Sequence, residues 1–137
     1  MLGKLTRIMN LSEDEIINHR DLLINVLDHE HRILFWNIKC EDFFGIKEEE
    51  ALGKRIEDLL PHTRNYDKMA RLDEALSGKH VFITDDKYDT KDCYYTQIIF
   101  PLKNHKEEVI AAVNIVRLTP STKTVISQKV NETSEAR

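Results

Sequence analysis

Glycine is scarce in this chain, with four in 137 residues. A phosphate-cradling loop needs several glycines within a few positions, so nucleotide binding by such a loop is excluded. Two cysteines, Cys40 and Cys93, are too few for a disulfide scaffold and read as reduced thiols. There is no excess of positive charge: 20 basic residues face 24 acidic ones, for a formal net charge of −4, and no basic stripe offers itself to nucleic acid. Long apolar runs are also missing. The longest, Val109 to Val116, is interrupted by Asn114 and falls far short of the roughly 20 residues that cross a bilayer. Lys4 and Arg7 are not followed by an apolar core, so no secretory signal is expected. The Asn-x-Ser/Thr triplets at Asn10 and Asn131 are accordingly read as chance. The expected location is the cytoplasm, with no membrane span in this chain. What is present, 41% hydrophobic and 32% charged residues, suits one globular domain with a single modest core.

The N-terminus opens on a capped helix. Ser12 can cap, and Glu15 completes a capping box. Leu2, Met9, Ile16 and Leu23 share a seven-residue spacing, but the intervening Ser12 and His19 are polar, so a short flanking helix is expected instead of a coiled-coil seam. Leu22–Leu27 and Arg32–Trp36 are short apolar runs around the polar turn Asp28-His-Glu-His31, which reads as a hairpin. After Asn37 the pattern turns helical and stops at Gly45. Short helices then end at Gly53 and Pro61, and Arg64–Leu76 forms the longest, with Met69, Leu72, Ala75 and Leu76 on one face. Val81–Thr84, Tyr94–Leu102 and Glu108–Leu118 are rich in β-branched and aromatic residues, and the polar segments Asp89–Asp92 and Lys103–Lys106 separate them as turns. Two strands, a block of helices and three more strands predict an α+β fold. Its five-stranded antiparallel sheet carries helices packed on one face, plus the flanking N-terminal helix. The expected division is 1–21 for the flanking helix, 22–119 for the domain, and 120–137 for a flexible tail or the start of a linker.

This order, and the motifs along it, resembles the PAS domain, a sensory and signalling module of the kind found in bacterial sensor histidine kinases. Asp28 matches the acid ending the first strand, and Asn37 the asparagine ending the second. Gly45 and Gly53 match the helix-terminal glycines, Leu59-Leu60-Pro61 the segment before the long helix, and Phe100-Pro101-Leu102 the segment near the end of strand four. One departure stands out. Many signalling members finish on Asp-Ile-Thr, whereas this chain has Arg117-Leu118-Thr119, with a base in place of the acid.

The resemblance implies a pocket between sheet and helices. Strand alternation groups Tyr95, Gln97 and Ile99 on one face, with Tyr94, Thr96 and Ile98 on the other. By the resemblance, Tyr95, Gln97, Ile99 and Ile115 face the helices and the ligand, with Trp36, Phe43, Phe44, Met69, Leu72 and Val113 as an apolar wall. An inward Gln97 needs a hydrogen-bond partner. The opposite face, bearing Tyr94, Thr96, Ile98, Asn114 and Val116, needs cover from the N-terminal helix or a second subunit. Ile16, Leu23, Ile98 and Val116 are the expected dimer contacts.

Other chemistry finds little footing. His29-Glu-His31 sits on a turn whose histidines point apart, so it reads as a solvated turn and no metal site is expected. The resemblance implies neither haem, since Arg64–Leu76 has no histidine, nor a flavin adduct, since Gly53–Asp58 has no cysteine. Flavin without an adduct, or another non-covalent small molecule, stays open through Gln97. The expected function is a non-enzymatic sensor that binds a small molecule or a protein partner and transmits its state through the flanking helix or a homodimer interface to a signalling protein or fused output domain. Two alternatives are a ligand-free interaction module and a small α+β enzyme. The enzyme would need a buried acid–base pair, for which His62, Asp85 and Tyr95 are the nearest residues.

Overall fold

The computed structural model of the chain describes residues 2–64, 66–87 and 93–120. The tail expected from residue 120 and the turn expected at Asp89–Asp92 lie outside the described residues, apart from Pro120 at the end of the last strand. In chain order the elements are α1 (Leu2–Met9), α2 (Glu13–Ile17), β1 (Leu22–Leu27), β2 (Ile33–Trp36), α3 (Ile38–Phe44), α4 (Glu48–Ala51) and α5 (Ile56–Leu59). A 3-10 turn (Pro61–Arg64), α6 (Tyr66–Leu76), β3 (Val81–Lys87), β4 (Cys93–Lys103) and β5 (Val109–Pro120) complete it. Among these, no helix is long and apolar enough to cross a membrane.

The flanking segment is two helices. Asn10 takes a left-handed conformation (φ 54), and Ser12 starts a new helix through the capping box with Glu15. Together they break the seven-residue spacing.

The five strands form one antiparallel sheet in the order β2-β1-β5-β4-β3. The hairpin turn follows from Asp28, whose carboxylate accepts hydrogen bonds from the backbone N–H of Glu30 and of Arg32. Beyond β2 the backbone of Gly53 and Lys54 bonds to Ile33, which occupies much of that edge. Gly53 adopts a φ of +79 there, a conformation that side chains disfavour. Gly45 closes α3 in the same region, at φ +70. On the other side of the sheet, β3 stops pairing with β4 at Ile99, so the missing N–H of Pro101 deprives it of nothing.

Both faces of the sheet are covered. On the inner face, Leu23, Leu27, Trp36, Tyr95, Ile99 and Val116 pack against Cys40, Ala51, Ile56, Leu60, Leu72 and Ala75 from α3 to α6. On the outer face, Ile24, Val26, Phe35, Phe100, Leu102, Ala111 and Val113 pack against Leu5 of α1 and Ile16 of α2, both fully buried. The Lys4 ammonium donates to the Lys103 carbonyl and ties α1 to the end of β4. The N-terminal helices therefore supply cover for the second face.

Cross-strand register corrects the expected face of β5. Gln97 pairs with Val116, and Ile99 with Asn114, so Asn114 and Val116 point inward beside Gln97. Val113 and Ile115, expected as pocket wall, belong to the outer-face cluster. A shift of one residue exchanges the faces of a whole strand. Because the sheet is covered on both sides, β5 is apolar on both, and alternation of hydrophobicity could not choose between them.

Candidate functional site

Between the inner face and α5–α6 lies a cavity of about 90 Å³. Its apolar lining comes from Leu23, Leu27 and Val116 on the sheet and Phe44, Ile56, Leu60, Met69 and Leu72 on the helices. The polar lining is Asn25, Gln97 and Asn114 on the sheet, Tyr95 beside them, and Thr63, Lys68 and Arg71 opposite. Arg71 donates a hydrogen bond of 2.8 Å to the Tyr95 hydroxyl and so links α6 to β4. At roughly 30 Å³ per water, the space corresponds to about three water molecules, less than a three-ring flavin fills.

The sheet side of the cavity carries a chain of amides. Gln97 donates to the Asn114 carbonyl oxygen at 2.7 Å, and Asn114 donates to Asn25 at 3.3 Å. Asn25, 3% exposed, donates onward to the Cys40 sulfur at 3.8 Å. The Cys40 backbone N–H donates to the Asn37 side-chain oxygen, which also accepts from the Ile24 N–H, each at 3.1 Å. The Asn37 amide donates to the carbonyls of Leu22 (2.9 Å) and of Ile16 in α2 (3.3 Å). One polar path thus joins the cavity to the N-terminal helices through the middle of the sheet.

The histidine turn is exposed at His29, Glu30 and Arg32, as a solvated turn is, and its histidines also pin it to the rest of the domain. His29 bonds the Val109 carbonyl of β5 at 2.7 Å. His31 reaches Asp73 of α6 at 2.8 Å with one ring nitrogen and lies 3.7 Å from Glu57 of α5 with the other. The two rings serve different partners. Among the described residues, no group of three His, Cys, Asp or Glu side chains is placed to hold a metal ion.

The PAS fold family model matches residues 17–119. The chain belongs to the PAS fold family. Solved structures agree with that assignment. The PAS domain of the histidine kinase ThkA is 26% identical, with a TM-score of 0.61 over 71% of this chain and 98% of its own. The PAS domain of BvgS from Bordetella pertussis has the same fold at 17% identity, with a TM-score of 0.65 over 98% of this chain and 99% of its own. A structure of ThkA in complex with the response regulator TrrA matches at 23% identity and a TM-score of 0.61, over 92% of this chain and 36% of that one. No curated protein sequence is significantly similar.

Within this PAS domain the expected pocket residues separate into three groups. Phe44, Met69, Leu72, Tyr95 and Gln97 line the cavity. Trp36, Phe43 and Ile99 belong to the inner core but not to its lining; Trp36 donates from its indole to the Ile46 carbonyl at 2.9 Å and packs on Phe44. Val113 and Ile115 lie on the other face. The expected dimer contacts separate as well. Leu23 and Val116 face each other across the inner side and line the cavity, Ile16 is buried under the outer face, and Ile98 is partly exposed on that face. Of the acid–base trio, Tyr95 is held by Arg71, while the side chains of His62 and Asp85 lie outside the described ones. Asn25, Lys68 and Arg71 line the cavity without a sequence expectation, and Asn114, expected on the opposite face, lines it too. A signal for the two asparagines existed, since each is a polar residue inside an otherwise apolar strand, where burial demands a partner.

Arg117, the base in place of the family's acid, is exposed on β5 and makes no ion pair among the described residues. It shares a surface hollow with Arg20, Lys39 and Asp21.

Burial pushes the Cys40 thiol up to about 12, against weaker downward effects of its hydrogen bonds with Asn25, Asn37 and Ile24. The native state then keeps a proton that the unfolded state loses from about pH 9 upward. The stabilisation is complete below pH 9 and declines by roughly 1.4 kcal/mol per pH unit up to about pH 12. Urea titrations at pH 8 and 10 should show a larger fall in stability for the wild type than for Cys40→Ala. A disulfide reagent at pH 8 should label Cys93 in the folded protein and Cys40 only after unfolding. Equal labelling rates would contradict this placement of Cys40.

Proposed function

We propose that this PAS domain is a non-catalytic sensor that holds a small molecule in the inner-face cavity and reports occupancy through its N-terminal helices. The observation that carries the reading is the polar path from Gln97 in the cavity to the Ile16 carbonyl of α2. A ligand that accepts the Gln97 N–H now given to Asn114 displaces that bond. Each side-chain amide has a fixed set of donors and acceptors, so a change at Gln97 alters the bonding open to Asn114 and Asn25, and Cys40, held at its sulfur by Asn25 and at its backbone N–H by Asn37, joins them to Asn37 by position. The proposed setting is the cytoplasm, and the proposed output is another signalling protein, a role supported by the histidine-kinase neighbours and by the ThkA complex with a response regulator. Native mass spectrometry of the untagged protein tests the reading. Extra mass that disappears on denaturation is the expected result. A bare protein mass, with no change in hydrogen exchange of α1 and α2 across a ligand panel, would leave a ligand-free interaction module.

One observation favours a second role as a homodimer. Phe82 on β3 is 68% exposed and sits opposite Ile98 across the β3–β4 pair, on the outer face. An exposed aromatic beside a partly exposed isoleucine is the kind of surface that a second copy covers. Light scattering on the wild type should then give twice the chain mass, and Phe82→Lys with Ile98→Lys should halve it. A dimer that survives both lysines would place the interface elsewhere. Val116→Lys is unsuitable for this test, because Val116 is 7% exposed on the inner face and its loss would disturb the core.

A further inference from the structure

The surface hollow at the far end of the polar path has an unbalanced charge. Arg20, Lys39 and Arg117 line it with Leu118, and Asp21 is the acid among them. None of the three bases is ion-paired among the described residues, although the chain as a whole carries a formal net charge of −4. Each base comes from a different part of the fold. Arg117 lies on β5, whose backbone pairs there with Leu22 of β1 and Thr96 of β4. Lys39 belongs to the first turn of α3, between Asn37 and Cys40. Arg20 lies in the link from α2 to β1, where the N–H groups of Asp21 and Leu22 both donate to the His19 ring at 3.2 Å. The last members of the polar path occupy the same places. Asn37 donates to the Leu22 carbonyl, and Leu22 is the β1 partner of Arg117. A change at Asn37 thus reaches the backbone next to all three bases.

Building on the sensor reading, we propose that this hollow docks an acidic segment of the output protein, a stretch with several Asp or Glu side chains beside an apolar one. Its carboxylates meet Arg20, Lys39 and Arg117, and its apolar side chain meets Leu118. Exposed ion pairs are individually weak, so recognition rests on several carboxylates held in one segment. A lone small anion gains too little from bases that are open to water and salt. Nucleic acid is a poor match, because its phosphates call for an extended basic stripe and this hollow holds an acid among its three bases. The chain's own residues 121–137 are a poor match too, with three bases against two acids.

The probe is a short peptide of repeated Glu-Glu-Leu, compared with its Gln-Gln-Leu counterpart. Each is titrated into the full chain at low salt and followed by the backbone amide resonances of Arg20, Lys39 and Arg117. The glutamate peptide should shift all three, bind about tenfold tighter than the glutamine peptide, and weaken as salt is added. Arg20→Gln with Arg117→Gln should remove that advantage, whereas Asp21→Asn should strengthen glutamate binding about threefold by removing the one like charge. The three substituted side chains are exposed, so the urea midpoint should stay at its wild-type value. Equal binding of the two peptides, or a glutamate advantage that survives the loss of both arginines, would overturn the docking site. Tighter binding of a single-stranded oligonucleotide than of the glutamate peptide would overturn it as well. Native mass tests the cavity separately. A bare mass with peptide binding intact removes the ligand and leaves the docking site, and a ligand mass without peptide binding does the reverse.

Discussion

Asn37→Ala is expected to destabilise the domain by about 3–5 kcal/mol, read as a lower urea midpoint with an unchanged slope. The side chain is fully buried and serves four backbone groups. Its oxygen accepts from the N–H groups of Ile24 and Cys40, and its amide donates to the carbonyls of Leu22 and Ile16. Alanine leaves these groups without a partner where water does not reach. An unsatisfied buried polar group costs roughly 1–3 kcal/mol, and loss of the α3 cap is part of that total at about 1 kcal/mol. Asn37→Asp separates the two halves of the residue. It keeps an acceptor for Ile24 and Cys40 but loses both donors, so the bond to α2 breaks while the cap remains. Hydrogen exchange in α2 should then rise relative to α3. A loss below about 1 kcal/mol for Asn37→Ala would mean that water or a shifted backbone replaces these bonds, and the polar path would lose its central member.

The second large effect is expected at the outer face. Ile16→Asp and, separately, Leu5→Asp should release the N-terminal helices from the sheet. Both native side chains are completely buried against that face. An aspartate there forfeits about 2–4 kcal/mol of apolar packing and adds a carboxylate with no basic partner, and the chain avoids that burial most cheaply by undocking. Release uncovers Ile24, Val26, Phe100, Leu102 and Val113 together, a contiguous apolar surface that draws other chains. Binding of an apolar dye should increase, trypsin should cleave at Arg7 and Arg20, and the apparent mass should rise with concentration. A variant that keeps wild-type protease resistance and mass would mean that the cover comes from elsewhere. The result also bears on the proposed output, since a helix pair that undocks at modest cost is one whose docking a ligand can shift.

The order of elements was legible because each carries a local signature. The Ser12–Glu15 capping box, the Asp28 turn, the Asn37 cap and the glycine stops at Gly45 and Gly53 depend on neighbours within a few residues, and the structure forms each of them. The inward side of β4 was legible too. Tyr95, Gln97 and Ile99 share the inner face, and Gln97 meets the partner its burial requires. The cavity was read less well. Leu23 and Val116 were assigned to a dimer surface, and Val113 and Ile115 to the pocket, because the parity of β5 relative to β4 is a long-range fact. Asn114 illustrates the reason: a polar residue in an apolar strand suggests a solvent-facing position until Asn25 and Gln97 are placed on either side of it.

By itself the sequence determined the PAS architecture, the start of α2, the caps and turns, and the absence of a glycine-rich phosphate loop, all of which follow from residue types at short range. Only the tertiary structure decided which faces β1 and β5 present to the helices and that Leu5 and Ile16 close the far side of the sheet. It alone brought Asn25, Asn114 and Gln97 into one chain, and Arg71 to Tyr95. These pairings join residues far apart along the chain. They are chosen by strand register and by the burial of both faces of one sheet, conditions that no local stretch of sequence contains.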